Sequence, residues 1–231
     1  MKSNGLVLGV LGGMGPAASA EFMRLLSEKS PATCDQEHPQ VILYSNTKIP
    51  NRTDYILGKG PDPTSFLLEG LRSLLSWGAD LLAVTCNTSH YYINKFPDEI
   101  KNKLISIVDE TVDKCISVSP DGVWLTATLG TMNAGIYQSR AKEKDYNLLI
   151  PNLHQMEHIH LVTDMVKAGR VIDASILYKD ICLQLWQEGN FPIIGACTEL
   201  PIAYGKGGLP ENRFISSLDS LAEACVRELY K

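Results

Sequence analysis

GADLLAVTCNTSH at residues 78–90 and GNFPIIGACTELP at residues 189–201 are two versions of one pattern. In each, a helix-like run ending in leucine and tryptophan (Leu74, Leu75 and Trp77; Leu185 and Trp186) reaches a glycine. A short apolar run follows and stops at a cysteine eight residues beyond that glycine. Gly78 and Gly189 are 111 residues apart, as are Cys86 and Cys197. Asp109 and Asp219 continue the match at 110, and Gly5 to Gly13 answers Gly122 to Thr131 more loosely at 117 or 118. An offset shared by several features predicts an internal duplication.

Around these segments, apolar β-branched runs alternate with helical periodicity, the pattern of an α/β chain with parallel strands. Strands are expected at Gly5–Leu11, Val41–Tyr44, Asp80–Val84, Leu104–Val108, Val123–Thr128, Leu148–Ile150 and Pro192–Gly195. The duplication then predicts two pseudo-symmetric domains, each a short, mainly parallel sheet flanked by helices. Residues 1–108 with 210–231 would form the first and 109–209 the second. Ligands of parallel sheets bind at the carboxyl ends of the strands. Cys86 and Cys197 fall at such ends and would face one another across the cleft between domains.

Composition narrows the function classes. A chain of 231 residues with 45% hydrophobic and 20% charged residues can bury a substantial core and has no disordered bias. The net charge of −5 comes without a clustered basic surface, which argues against nucleic acid as a partner. No apolar run approaches the ~18 residues that span a bilayer, and the glycine-rich N-terminus does not read as a signal peptide. A cytoplasmic protein with no membrane partner is expected. The six cysteines lack paired spacing, which suits reduced thiols better than a disulfide framework or a metal site.

Moving an α-proton between the two faces of one carbon needs an acid/base group on each side. Two thiols presented by facing halves meet that need, one as thiolate base and the other as thiol acid, with the roles exchanged in reverse. Each cysteine is followed by hydroxyl or amide residues and a helix-like run. Free N–H groups at a helix N-terminus would favour a thiolate, lowering the pKa from about 8.5. With Asn87, Thr88 and Thr198 they could also hold a carboxylate. Buried cysteines also serve as small hydrophobes, the reading that suits Cys34, Cys115, Cys182 and Cys225.

The motifs LGGMGP at 11–16, IPNRTDYILG at 49–58, CNTSH at 86–90, Gly130-Thr131 and ACTEL at 196–200 together resemble the aspartate/glutamate racemases, and more closely the aspartate racemase branch. The resemblance covers essentially the whole chain. It implies pyridoxal-independent amino-acid racemisation, with no cofactor and no metal, in a homodimer. It implies that Asn87, Thr88, Thr131 and Thr198 bind the α-carboxylate and that Met14 and Gly15 lie over the cleft. Arg52 matches an arginine that pairs a side-chain carboxylate, for which a guanidinium fork is suited; otherwise it is a solvent-facing loop charge.

Where glutamate racemases carry histidine after the second Cys-Thr, this chain has Glu199, which favours the aspartate branch. Glu199 either accepts the thiol proton or caps the following helix. Relatives often carry a lysine for the distal carboxylate ahead of Gly169. This chain offers His158 and His160 there, with Lys167 close to the helix end. His158 is either a ligand contact or a surface helix position. The Gly9–Gly15 cluster fails both phosphate-loop spacings, and Gly58–Pro63 is a linker or a lid. The expected activity is aspartate racemisation. Racemisation of glutamate or a broader range, a thiol-dependent lyase or hydrolase, and a non-catalytic binding protein are the alternatives.

Overall fold

A computed structural model describes residues 2–93 and 95–231. The first half contains β1 (Val7–Gly12), α1 (Pro16–Lys29), β2 (Gln40–Ser45), α2 (Arg52–Ile56), α3 (Thr64–Ser76) and β3 (Leu81–Val84). It continues through α4 (His90–Ile93), α5 (Asp98–Lys101) and α6 (Ile107–Val118). The second contains β4 (Val123–Thr126), α7 (Leu129–Ala134), α8 (Ile136–Glu143), β5 (Leu148–Leu149), α9 (Leu153–Lys167) and α10 (Val171–Glu188). After it come β6 (Ile193–Gly195), α11 (Leu200–Lys206), β7 (Phe214–Ser216) and α12 (Ser217–Leu229).

All strand pairs are parallel, in the orders β2-β1-β3 and β5-β4-β6-β7. Central β1 and β4 therefore correspond, and β3 corresponds to β6. The glycines that opened the repeat do different work. Gly78 adopts φ +100°, which permits the turn from α3 toward β3. Gly189 is extended at φ −165°, and a Cβ there would lie 3.3 Å from the Trp124 ring, whose indole N–H donates to Gly189 O at 2.8 Å.

The expected strand at Leu104–Val108 is corrected. Only an isolated bridge joins Leu104 to Leu82, with Ile105 N–H donating to Leu82 O at 2.8 Å. The helix starts early because Ser106 caps it, accepting the Asp109 N–H at 3.2 Å, and Ile107, Val108, Thr111, Val112 and Cys115 are buried at helical spacing. In the second half the equivalent position is the full strand β7, absent from the sequence-based strand set. Ser216 caps α12 by accepting the Asp219 N–H at 3.1 Å. The 110-residue offset is thus a pair of serine caps at the edges of matching sheets.

The helices following these caps pack across the molecule. Helix α12 lies against α1 and α6, and α6 lies against α8. One core joins the halves: Leu8, Val10 and Ala83 with Leu125, Ile194 and Ala196, closed by Ile107, Val112, Leu218 and Leu221. Separate cores fill the outer faces, under α3 in the first half and under α9 to α11 in the second. The expected boundary at residue 210 does not follow the sheets. Phe214–Ser216 pairs with β6, while α12 packs on the first half's helix α1.

Candidate active site

The loop after β1 is shaped by steric exclusion. Gly13 has φ +88°, and a Cβ there would sit 2.5 Å from the Asn46 backbone. Its N–H donates to Ser19 Oγ at 2.9 Å, and Pro16 starts α1. This turn buries Met14, whose sulfur accepts from Ser89 Oγ at 3.4 Å. Gly15 is buried beside Glu199, since a Cβ on it would meet Glu199 Oε1 at 2.6 Å.

Cys86 and Cys197 each lie two residues beyond a strand end, and each is only 6% exposed. Both line one nearly closed cavity of about 10 Å³, room for little more than one water. Met14, Arg52, Asn87, Thr88, Thr198 and Glu199 line it too. The structure thus brings together most of the residues singled out from sequence. Among the described residues no cluster of histidine, cysteine and carboxylate groups is arranged to hold a metal ion.

The Cys86 loop is anchored by His90. Its Nε2 accepts the Ile107 N–H at 3.3 Å, which leaves Nδ1–H to donate to Cys86 O at 3.1 Å. Burial lowers the His90 pKa to about 4, so the ring is neutral. Asn87 crosses to the other half: its amide donates to Ser217 Oγ at 2.9 Å and accepts from Tyr137 OH at 2.6 Å. Thr88 Oγ1 lies 2.8 Å from Thr131 Oγ1, so Thr131 stands behind Thr88 rather than on the cavity wall.

Cys197 departs from the expected activated thiolate. Its Sγ donates to Glu199 Oε2 at 3.0 Å. Burial, then the Glu199 carboxylate, push the thiol well above its ordinary pKa, with Lys167 pulling the other way. Thr198 Oγ1 lies 3.2 Å from the same carboxylate oxygen and 3.3 Å from Thr85 O, and its single proton is donated to one or the other. The Glu199 side chain makes no hydrogen bond that caps α11, which removes the capping alternative.

Arg52 begins α2. Its Nη1 donates to Ile49 O at 3.1 Å and Pro50 O at 2.8 Å, and Nη2 donates to Met14 O at 3.1 Å. The guanidinium is therefore fixed beside the cavity, which rules out a free loop charge. Its Nε is buried and has no partner among the described residues. Neighbouring Thr53 packs on the second half, where a Cβ on Gly130 would come within 2.5 Å of Thr53 Oγ1.

His158 is not in the cavity wall; it stacks edge-to-face on His154 with ring centroids 4.2 Å apart. Lys167, the last residue of α9, lines the cavity instead. Burial opposes its charge, but the neighbouring Glu199 and Asp164 carboxylates favour it and its pKa is raised. The signal was present in the sequence: Lys167 continues the buried Ile159 and Thr163 at four-residue spacing along α9. Asn51, Thr53 and Thr128 also line the cavity and were not singled out.

The family model described as Asp/Glu/Hydantoin racemase matches residues 11–225. The chain is similar to the solved aspartate racemase of Picrophilus torridus, at 25% identity over 97% of this chain and 94% of that one, with a TM-score of 0.82. Its fold is also that of the glutamate racemase of Francisella tularensis in complex with D-glutamate, at 15% identity over 97% of this chain and 80% of that one, with a TM-score of 0.70. The broad specificity amino-acid racemase RacX of Bacillus subtilis is 23% identical over 198 residues, which cover 84% of this chain and 86% of RacX.

Proposed function

The chain belongs to the Asp/Glu/hydantoin racemase family, and from that premise we propose that it racemises an amino acid, aspartate first, by passing the α-proton between Cys86 and Cys197 without a cofactor. The observation that carries this reading is the pair of thiols at matching strand ends of the two halves, both lining one small cavity. One sulfur removes the α-proton as thiolate while the other, as thiol, protonates the opposite face. Because Cys197 donates a hydrogen bond to Glu199, it holds the proton in the resting enzyme. Cys86 is then the base in this direction, proton exchange with solvent resets the pair for the next turnover, and the roles are exchanged for the opposite enantiomer.

The α-carboxylate sits against Thr88, Asn87 and Thr198, with Thr131 orienting Thr88. The partnerless Nε of Arg52 and the Lys167 ammonium face a distal carboxylate. His158 lies outside this arrangement, against His154. A cavity with room for little more than one water must open to admit an amino acid and close again to exclude water.

A broader amino-acid range is the second reading. It is favoured by the three Arg52 hydrogen bonds already made to backbone carbonyls, which leave few donors for a side-chain carboxylate. The proposed enzyme is a homodimer of the cytoplasm, a compartment that suits its six free cysteines. Among the described residues no helix is long and apolar enough to cross a membrane.

A chiral assay across acidic and neutral amino acids tests the reading. Interconversion by the wild type, lost in both Cys86→Ser and Cys197→Ser, is expected. Turnover that survives either change points to a one-thiol lyase or hydrolase instead.

A further inference from the structure

We propose that Glu199 receives the α-ammonium of the substrate on Oε1 while Oε2 holds the Cys197 thiol, so that one carboxylate joins amino-group recognition to the acid/base site. The proposal rests on the racemase reading and deepens it.

Glu199 is 2% exposed, and its two oxygens have different environments. Oε2 accepts from Cys197 Sγ at 3.0 Å and lies 3.2 Å from Thr198 Oγ1. Oε1 is buried with no partner among the described residues. A charged oxygen left unpaired in a closed site is costly, and a cationic donor that satisfies it is bound strongly. Lys167 does not fill this role; its Nζ is 3.8 Å from Asp164 Oδ1, and it forms no ion pair with Glu199. Gly15 keeps the space open, since a Cβ there would come within 2.6 Å of Oε1.

The geometry of the reaction assigns the same partner. With sulfurs on opposite faces of the α-carbon, the planar carbanion directs its three remaining groups around the equator of the site. Thr88 and its neighbours take the carboxylate, and Arg52 with Lys167 takes the side chain. The ammonium needs an acceptor. Asn87 Oδ1 is occupied by Tyr137 OH at 2.6 Å, which leaves Glu199 Oε1 as the buried side-chain acceptor without a partner on the wall among the described residues. Neutralising the carboxylate in this way also weakens its hold on the Cys197 proton, so substrate binding readies that thiol to act as acid.

The test compares aspartate with malate, which replaces the ammonium by a hydroxyl, using equilibrium binding to the full-length wild type and to Glu199→Gln. The wild type is expected to bind aspartate about 10- to 100-fold more tightly than malate, the worth of one charge-assisted hydrogen bond. Glu199→Gln should bring the two within about threefold, mainly by weakening aspartate, and Glu199→Asp should restore part of the preference. Equal weakening of both ligands, or an unchanged ratio, overturns the proposal. If Glu199→Gln does not fold, the wild-type comparison decides, because malate binding as tightly as aspartate refutes an ammonium site. Racemisation that persists alongside either contrary result leaves the two-thiol reading standing and removes only this assignment.

Discussion

Asn87 donates to Ser217 across 2.9 Å, and Ser217 in turn donates to the Gly195 carbonyl at 2.8 Å. This relay ties the residue after Cys86 to the strand that ends before Cys197, so the two sulfurs keep their separation through side chains of both halves.

Replacing Asn87 by alanine removes the relay and leaves the fully buried Tyr137 hydroxyl without its acceptor. A buried unpaired polar group costs about 1–3 kcal/mol, so the denaturation free energy should fall by about that much. Racemisation should fall further than stability predicts, because the cysteine loops lose their register. Asn87→Ala with unchanged stability and activity would exclude the relay.

His90 makes stability depend on pH. Its folded pKa, near 4, lies below the unfolded value of 6.5, so the unfolded chain binds more protons between these values. Its stabilising contribution is complete above pH 6.5 and is lost as the pH falls toward 4, by about 3 kcal/mol in all. Denaturation of the wild type at pH 7.5 and 5 should show this slope, and His90→Gln should flatten it.

Gly13→Ala combines a left-handed backbone with a Cβ driven into Asn46. A loss above about 1 kcal/mol is expected, with the midpoint of thermal unfolding as readout. The neighbouring Met14 would shift with the loop, so turnover should fall as well.

Arg52→Ala separates the two specificity readings. If the distal carboxylate meets Nε, turnover of aspartate should fall about 100-fold or more while neutral amino acids are nearly unaffected. A uniform fall across the panel would instead assign Arg52 to holding Met14, Ile49 and Pro50 in place.

Much of this arrangement was legible in the sequence because its signals are local. The paired glycine-to-cysteine spacings located both strand ends, and Gly13 and Pro16 located the opening turn. Phe214–Ser216 escaped notice because three residues carry no periodicity, and Leu104–Val108 misled because the Ser106 cap converts an apolar run into a helix start. Lys167 was obscured by its place one residue before the helix cap, although its spacing from Thr163 aims it at the site. The raised pKa of Cys197 arises from burial and from Glu199, whose side-chain direction no motif records.

The most direct test of two-thiol racemisation is isotopic. One enantiomer of the substrate, supplied in deuterated water and sampled at low conversion, should yield product carrying deuterium at the α-carbon while the recovered substrate retains protium, because removal and return use different sulfurs. Equal early labelling of both enantiomers, or interconversion without any label, would contradict it.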